Sequence, residues 1–470
     1  MPDYQVAETG YFIKDDEIEA SLAVGAKADA SKVREILTKA RELHGLSLDD
    51  VAALTALKDP ELLRELFETA RYVKERIYGS RIVLFAPLYI SNRCCNECLY
   101  CAFRASNREL VRRELGHQEI VHEVEKMLDL GHKRVLMVAG ESYSGKNIEY
   151  VLDSIAAIYE AKSRGSSIRR VNVNIAPLDV EQLKAVKAAK IGTLQVFQET
   201  YHRGVYAAVH KAGPKRNYDY RVTVMDRAMK AGIDDVGIGP LFGLADWRFE
   251  VLATMQHIRH LEEHFSVGPH TISMPRIEPA CGSDLAANPP NAVSDDDFRK
   301  IVAIFRCAVP YTGLILSTRE TPAMRHELIE LGISQISGGS RTNPGGYAEG
   351  EGVDEQEAQF HLGDERSLED VIRDLIQMKH IPSFCTGCYR MGRTGQDFMD
   401  LAKPGAIQMH CDPNGLSTFM EYLMDYAHED TREAGLKLVE EKLAAMPEKR
   451  RAVAKRLVDK VREGQRDVYV

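Results

Sequence analysis

The spacing of apolar positions changes character once along this chain. Between Asp29 and Gly79 they recur every three or four residues, in "DASKVREILTKARELHG" and "DPELLRELFETARYVKERIYG", which predicts helices. After Ser80 the pattern becomes short runs rich in β-branched residues. The runs are "RIVLFAPLYIS" (81–91), "RVLMVAGE" (134–141), "RVNVNIAP" (170–177), "TLQVFQETY" (193–201), "DVGIGPLFG" (235–243), "HTISMPRIEPA" (270–280), "GLILSTRE" (313–320) and "ISQISGGS" (333–340). Helical stretches such as "QEIVHEVEKMLDLG" and "WRFEVLATMQHIRHLEEHF" separate them.

Eight such alternations over about 260 residues predict an α/β fold built on a complete (β/α)8 TIM-type barrel. A doubly wound open sheet has the same alternation. The barrel is preferred because polar and glycine residues recur at the carboxyl ends of the runs: Gly140-Glu141, Gln198-Glu199, Arg276, Arg319 and Gly338-Gly339. Barrels build their active sites at those ends. The expected division is an N-terminal helical segment (1–80), the barrel (81–345) and a mainly helical C-terminal region (346–470). A polar, glycine-rich, acidic connection follows Arg341.

Composition narrows the function without naming it. The 470 residues are 44% hydrophobic and 28% charged with a net charge of −9, which disfavours nonspecific nucleic-acid binding. No stretch approaches 18 uninterrupted apolar residues, so no membrane partner is expected. The acidic start lacks an apolar signal core, and a cytoplasmic, reducing location is expected. Clustered cysteines are there more often metal ligands or redox groups than disulfides.

The nine cysteines are unevenly spread. "SNRCCNECLYCAF" (91–103) places Cys94, Cys98 and Cys101 as C-x3-C-x2-C in the loop after the first strand. Three thiolates from one loop suit three irons of a 4Fe–4S cluster and leave the fourth iron open. A zinc site would need a fourth ligand, and no histidine lies near in sequence. Cys95 breaks the spacing and is expected to be packed, as are the isolated Cys281 and Cys307. Further on, Cys385, Cys388 and Cys411 form C-x2-C-x22-C. A zinc site completed by His410 or Asp412 and an iron–sulfur cluster with a non-cysteine fourth ligand both fit that spacing.

Four other residues are candidates for an anionic substrate. Arg319 at the end of the seventh strand suits a bidentate carboxylate clamp, with Ser317 adding a hydroxyl; a salt bridge to Glu320 is the plainer role. Ser340 and Arg341 follow the glycine-rich end of the eighth strand, where backbone N–H groups can approach an anion.

C-x3-C-x2-C with Tyr100 before its last cysteine resembles the signature of the radical S-adenosylmethionine (SAM) enzymes, and "VAGE" (Gly140-Glu141) resembles their glycine–glutamate element for the SAM amino group. With "VFQETYH", "GPHTISMPRIEPA" and "CYRMGRTGQDFMDLAKPG", the chain is similar to the tyrosine lyases of that family that mature FeFe-hydrogenase. Related tyrosine lyases of thiamine biosynthesis share the barrel pattern and lack the second cysteine motif. The resemblance implies a SAM-binding 4Fe–4S cluster on Cys94, Cys98 and Cys101, with SAM contacted by Tyr100, Gly140 and Glu141; Glu199 in "VFQETYH" is a candidate for the SAM ribose, with membership of a buried ion pair as its other reading. It implies cleavage of the Cα–Cβ bond of L-tyrosine to p-cresol and dehydroglycine. An auxiliary 4Fe–4S cluster on Cys385, Cys388 and Cys411, with a labile iron on His270, would convert the fragment to CO and cyanide. Implied partners are free cysteine at the labile iron, an electron donor such as flavodoxin or ferredoxin, and a scaffold protein that receives the iron–CO–CN product. Two other readings stand beside this one: an aromatic amino acid lyase whose second cluster serves another purpose, and a zinc-bound interaction module.

Overall fold

A computed structural model describes residues 9–142, 147–349 and 356–470. The acidic middle of the predicted connection and the first residues of the chain lie outside this range.

The barrel is organised around Arg81–Ser91 (β1), eleven residues buried along nearly their whole length. A parallel strand covered on both faces reads as a continuous apolar run, and "RIVLFAPLYI" is one. The wall continues through Arg134–Ala139 (β2), Arg170–Asn174 (β3), Leu194–Gln195 (β4), Val236–Ile238 (β5), Thr271–Ser273 (β6), Gly313–Leu316 (β7) and Gln335–Ser337 (β8). Every neighbouring pair is parallel, and β8 returns to β1 with Val83 opposite Gln335 and Phe85 opposite Ser337. The sheet is therefore closed, as the alternation predicts.

Each predicted run contains one strand, but the paired part is shorter than the run from β2 onward. The run predicted over 193–201 pairs only at Leu194–Gln195. Beyond it Glu199 adopts a left-handed backbone (φ 70°), so the chain leaves the ladder and its polar side chains turn toward the barrel mouth.

The sequence pattern misses a ninth strand, Ile381–Ser383 (β9). It pairs in parallel with the first residues of β1, Arg81 opposite Ile381 and Val83 opposite Ser383, while β2 pairs only from Ala86 onward. Three residues with a central proline carry almost no strand signal.

Before the barrel, helices Asp15–Gly25 (α1), Ala30–Ala40 (α2), Leu48–Thr55 (α3) and Pro60–Tyr78 (α4) pack on its outer layer. Asp59 caps α4 through Glu61 N and Leu62 N, and Pro60 opens it, so α4 starts where the sequence places it. At the other end of the chain, Gln408–Asp425 packs against Glu448–Arg462.

Candidate active site and cysteine centres

β1 delivers the chain into the first cysteine loop, and three other segments hold that loop in place. Asn92 donates to Val111 O (2.8 Å) and accepts from Arg113 N (2.7 Å). Leu99 N donates to Val209 O (3.0 Å) and Lys211 N to Glu97 O (2.8 Å), which lays residues 97–99 along residues 209–212. Asn96 donates to Glu141 Oε2 (2.7 Å) and accepts from Lys215 N (2.8 Å). Gly140 lies so close to this loop that a Cβ there would run into the Arg93 carbonyl oxygen.

Cys94, Cys98 and Cys101 border one cavity, with about 1370 Å³ of atom-free space, at the carboxyl mouth of the barrel. Burial pushes the Cys101 thiol up to about 11 and Cys98 higher still. Thiols in such a place become thiolates only when a cation takes the charge, which is what metal ligation supplies. Among the described residues no group of three or more His, Cys, Asp or Glu side chains is placed to hold a single metal ion. Thiolates of an iron–sulfur cluster each take a different iron, so three thiols ringing an open cavity suit a cluster better than one ion.

Cys95 corrects an expectation. It is exposed rather than packed, with its thiol donating to Glu141 O at 2.9 Å. Adjacent side chains in an extended loop point opposite ways, so Cys94 at the cavity sends Cys95 outward.

Tyr100 is buried, and its hydroxyl meets His210 Nε2 at 2.8 Å. His210 Nδ1 lies 2.9 Å from Tyr206 O, which only accepts, so Nδ1 carries the proton and the tyrosine hydroxyl is the donor to Nε2. Burial, with Lys215 and Arg221 nearby, pushes His210 down to about 2 and keeps it neutral.

Behind the cysteines stands a four-membered charge network. Arg221 lies 2.9 Å from Glu141 and 3.7 Å from Glu199, and Lys215 lies 2.7 Å from Glu199. Burial alone would raise Glu141, but Arg221 and Lys215 outweigh it and hold the carboxyl below its ordinary value. Glu141 and Glu199 both line the cavity. Lys215 and Arg221 escape the sequence reading because they sit on two short helical turns between β4 and β5, Pro214–Arg216 and Tyr218–Val222, where no motif marks them.

Across the cavity, Arg319 and Ser317 line the wall. The guanidinium lies over the Phe360 ring, 3.3 Å from its centroid, and burial pulls it below its ordinary value. Glu320 pairs instead with Arg276 (2.9 Å), so the plainer role for Arg319 does not apply. Ser340 and Arg341 are not in the cavity wall. Ser340 is buried, and Arg341 is half-buried with its backbone N–H on Tyr347 Oη (3.3 Å). The connection after Arg341 supplies what the sequence reading lacked: Gln359 and Phe360 roof the mouth, with Gln359 accepting from the Tyr89 hydroxyl (2.6 Å).

The second cysteine group lies at the opposite end of the barrel. Arg134, which opens β2, donates to Cys385 O (2.9 Å), and Cys385 Sγ accepts from Gly387 N (3.3 Å). Mutual interaction of the Cys388 and Cys411 thiols holds Cys388 below the ordinary thiol value and Cys411 well above it. Burial raises the Cys385 thiol, and the Arg81 charge works against the rise at both Cys385 and Cys411. Asp412, one of the two residues that would complete a zinc site, is bound to Arg450 (2.6 Å). His270 immediately precedes β6 at this same end, its ring 4.2 Å from that of Phe398 and 6.1 Å from that of Tyr389, which follows Cys388. Burial pulls His270 below its ordinary value, so it is a neutral imidazole suited to a borderline metal.

The Radical SAM superfamily profile matches residues 88–255, and the Biotin and Thiamin Synthesis associated domain matches residues 273–380. A solved structure of HydG, a maturase of the [FeFe]-hydrogenase, is 48% identical, covers 98% of this chain and 100% of its own, and superposes with a TM-score of 0.94. The chain belongs to the HydG family of radical SAM enzymes. HydG from Carboxydothermus hydrogenoformans matches with 40% identity and a TM-score of 0.82, over 94% of this chain and 98% of its own. The 2-iminoacetate synthase of Salmonella typhimurium is 32% identical over 305 residues, 65% of this chain and 78% of its own. Two HydG structures thus match nearly the whole chain, whereas the synthase leaves about a third of it unmatched. Among the described residues of this radical SAM enzyme, no helix is long and apolar enough to cross a membrane.

Proposed function

We propose that this HydG-family enzyme cleaves the Cα–Cβ bond of L-tyrosine to p-cresol and dehydroglycine at the barrel mouth. The fragment is then turned into CO and cyanide at the C-terminal cysteine group, as an iron–CO–CN unit for FeFe-hydrogenase assembly. The observation that carries the reading is the cavity, where three cysteines and the carboxyl groups of Glu141, Glu199 and Glu278 share the lining with Arg319, whose guanidinium lies over the Phe360 ring.

In this reading Cys94, Cys98 and Cys101 hold the SAM-binding 4Fe–4S cluster, and Cys385, Cys388, Cys411 and His270 hold the auxiliary cluster with its labile iron. When bound, the first cluster with SAM supplies a hydrogen-abstracting radical and the second supplies iron that captures the diatomic products. The chain's own residues do the rest. Glu141, held below its ordinary value by Arg221 and Lys215, and Glu199, paired with Lys215, accept from the SAM amino group and ribose. Tyr100, its hydroxyl tied to His210, keeps a fixed ring beside Cys101. Arg319 clamps the tyrosine carboxylate, with Ser317 beside it. Phe360 and Gln359 roof the cavity and exclude water, which a radical site requires. Ser340 and Arg341 remain second-rank candidates, one layer behind the wall. Residues 346–470 act as the auxiliary-cluster region on a barrel of 81–345, behind a helical segment of 1–80. The expected setting is cytoplasmic, with a flavodoxin or ferredoxin as electron donor, free cysteine on the labile iron and a maturation scaffold as recipient.

The test is an anaerobic assay of iron-loaded protein with SAM, dithionite and tyrosine, measuring p-cresol, cyanide and CO together. All three are expected, and Cys385→Ala should keep p-cresol and lose CO. p-Cresol without CO from fully iron-loaded protein would leave a lyase resembling the 2-iminoacetate synthases and remove the maturation role. SAM cleavage without p-cresol would remove tyrosine as the substrate.

A further inference from the structure

The strand starts at the C-terminal cysteine end of the barrel carry an unusual set of side chains: Arg81, Arg134, Arg170, Asp235 and His270. Four of these have visible work. Arg134 donates to Cys385 O, Arg81 faces Cys385 and Cys411, Arg170 lies over the Tyr389 ring, and His270 packs on Phe398. Asp235 is the one left over. It is 2% exposed, and neither carboxylate oxygen has a hydrogen-bond partner. A buried carboxylate without a donor costs several kcal/mol, so a fold retains one where something else needs it.

The nearest such need is His270. The parallel pairing of β5 with β6 puts these two residues side by side, with His270 N donating to Val236 O (2.9 Å). His270 Nδ1 stands 3.4 Å from Asp235 Oδ2. The groups facing this pair from packed elements are Arg81, Arg134, Asp234 and the Tyr389 hydroxyl. Two of them are already engaged, Asp234 by Thr394 Oγ1 (3.3 Å) and the Tyr389 hydroxyl by Thr193 Oγ1 (2.9 Å).

We infer that Asp235 is a positioning residue for His270: it accepts a hydrogen bond from Nδ1–H, fixes the tautomer and ring orientation, and leaves Nε2 as the metal-binding nitrogen at the C-terminal centre. The inference rests on the proposed role of His270 as an iron ligand and adds the residue that makes it one. A histidine whose other nitrogen donates to a carboxylate is a more basic, better-oriented ligand, and losing that carboxylate typically weakens metal binding 10- to 100-fold. Metal on Nε2 in turn makes the Nδ1 proton a stronger donor, which satisfies the carboxylate that otherwise has none.

The test uses the full chain, reconstituted anaerobically with iron and sulfide and examined without SAM or tyrosine. Iron per chain is counted, the reduced protein is read by low-temperature electron paramagnetic resonance, and the labile iron is titrated out with a chelator. Asp235→Asn should release that iron at a 10- to 100-fold lower chelator concentration and shift the resonance of the auxiliary cluster, with the signal of the first cluster unchanged. Asp235→Ser is prepared alongside for the case in which asparagine prevents folding, judged by circular dichroism, and the same readouts apply. His270→Ala should lose the labile iron outright. Wild-type chelator resistance in the Asp235 variants, with His270→Ala iron-depleted, overturns the positioning role and leaves His270 a ligand. Retention of the iron in His270→Ala overturns both.

Discussion

Arg221 holds Glu141 at 2.9 Å while its other nitrogen stands 3.7 Å from Glu199, so one buried guanidinium joins the carboxyl end of β2 to the turn after β4. Replacing it by Met leaves two half-buried carboxyl groups with Lys215 as their remaining cation. Breaking a fully buried pair costs about 3–5 kcal/mol, and the partial exposure of the two carboxyl groups brings the cost here below that. Arg221→Met should therefore lower the thermal midpoint clearly and raise the KM for SAM. Arg221→Lys, which keeps the charge but reaches one carboxylate, should fall between. Unfolding curves and SAM titrations of the first-cluster signal check both.

Arg319 and its stacking on Phe360 make a separate prediction. An Arg-to-Lys change at a bidentate, stacked site is not conservative, and charge-assisted hydrogen bonds are worth about 1.5–3 kcal/mol. Arg319→Lys should raise the KM for tyrosine by roughly 10- to 100-fold, with more SAM cleaved per p-cresol formed. An unchanged tyrosine KM would refute the clamp.

The two neighbouring cysteines at the first centre should behave oppositely. Cys94→Ala, which removes a thiol from the cavity wall, should abolish the SAM-responsive cluster signal. Cys95→Ala removes only an exposed thiol on Glu141 O and should leave iron content as in the wild type. Iron analysis of both variants after identical reconstitution settles it.

Glu250 gives a pH signature unrelated to iron. It is fully buried on helix Trp247–Phe265, accepts from Tyr201 N (2.9 Å) and the Thr200 hydroxyl, and burial pushes it up from 4.5 to about 7. Below pH 4.5 both folded and unfolded chains hold this proton. Between pH 4.5 and 7 the unfolded chain releases it first, so its contribution falls as pH rises, by on the order of 3 kcal/mol. Against Glu250→Gln, wild-type stability should drop over that window and run parallel above it. Denaturant unfolding at several pH values checks the slope.

The barrel was legible because its strands are apolar on both faces, and β1 was read with its observed bounds. What stayed hidden depends on which segments meet. Lys215 and Arg221 become site residues only once residues 209–215 lie along the cysteine loop. Phe360 becomes a wall residue only when a polar connection folds back over the mouth. The first cysteine motif was readable because its three residues share one loop, and the second although Cys388 and Cys411 lie on separate helices, Gly387–Arg390 and Gln408–Asp425. Ser340 and Arg341 were placed by an argument about glycine-rich strand ends, which locates a layer of the barrel but not the direction of a side chain.

β1 has one more consequence. Its far end runs into the loop of Cys94, and its near end is bonded to β9, which leads two residues later to Cys385. Eleven residues of strand are about 33–36 Å long. One stiff rod therefore acts as a gauge between the two centres. Their stand-off is not adjusted by a hinge, and under the proposed reading a fragment released at one end crosses a path of constant length in every turnover.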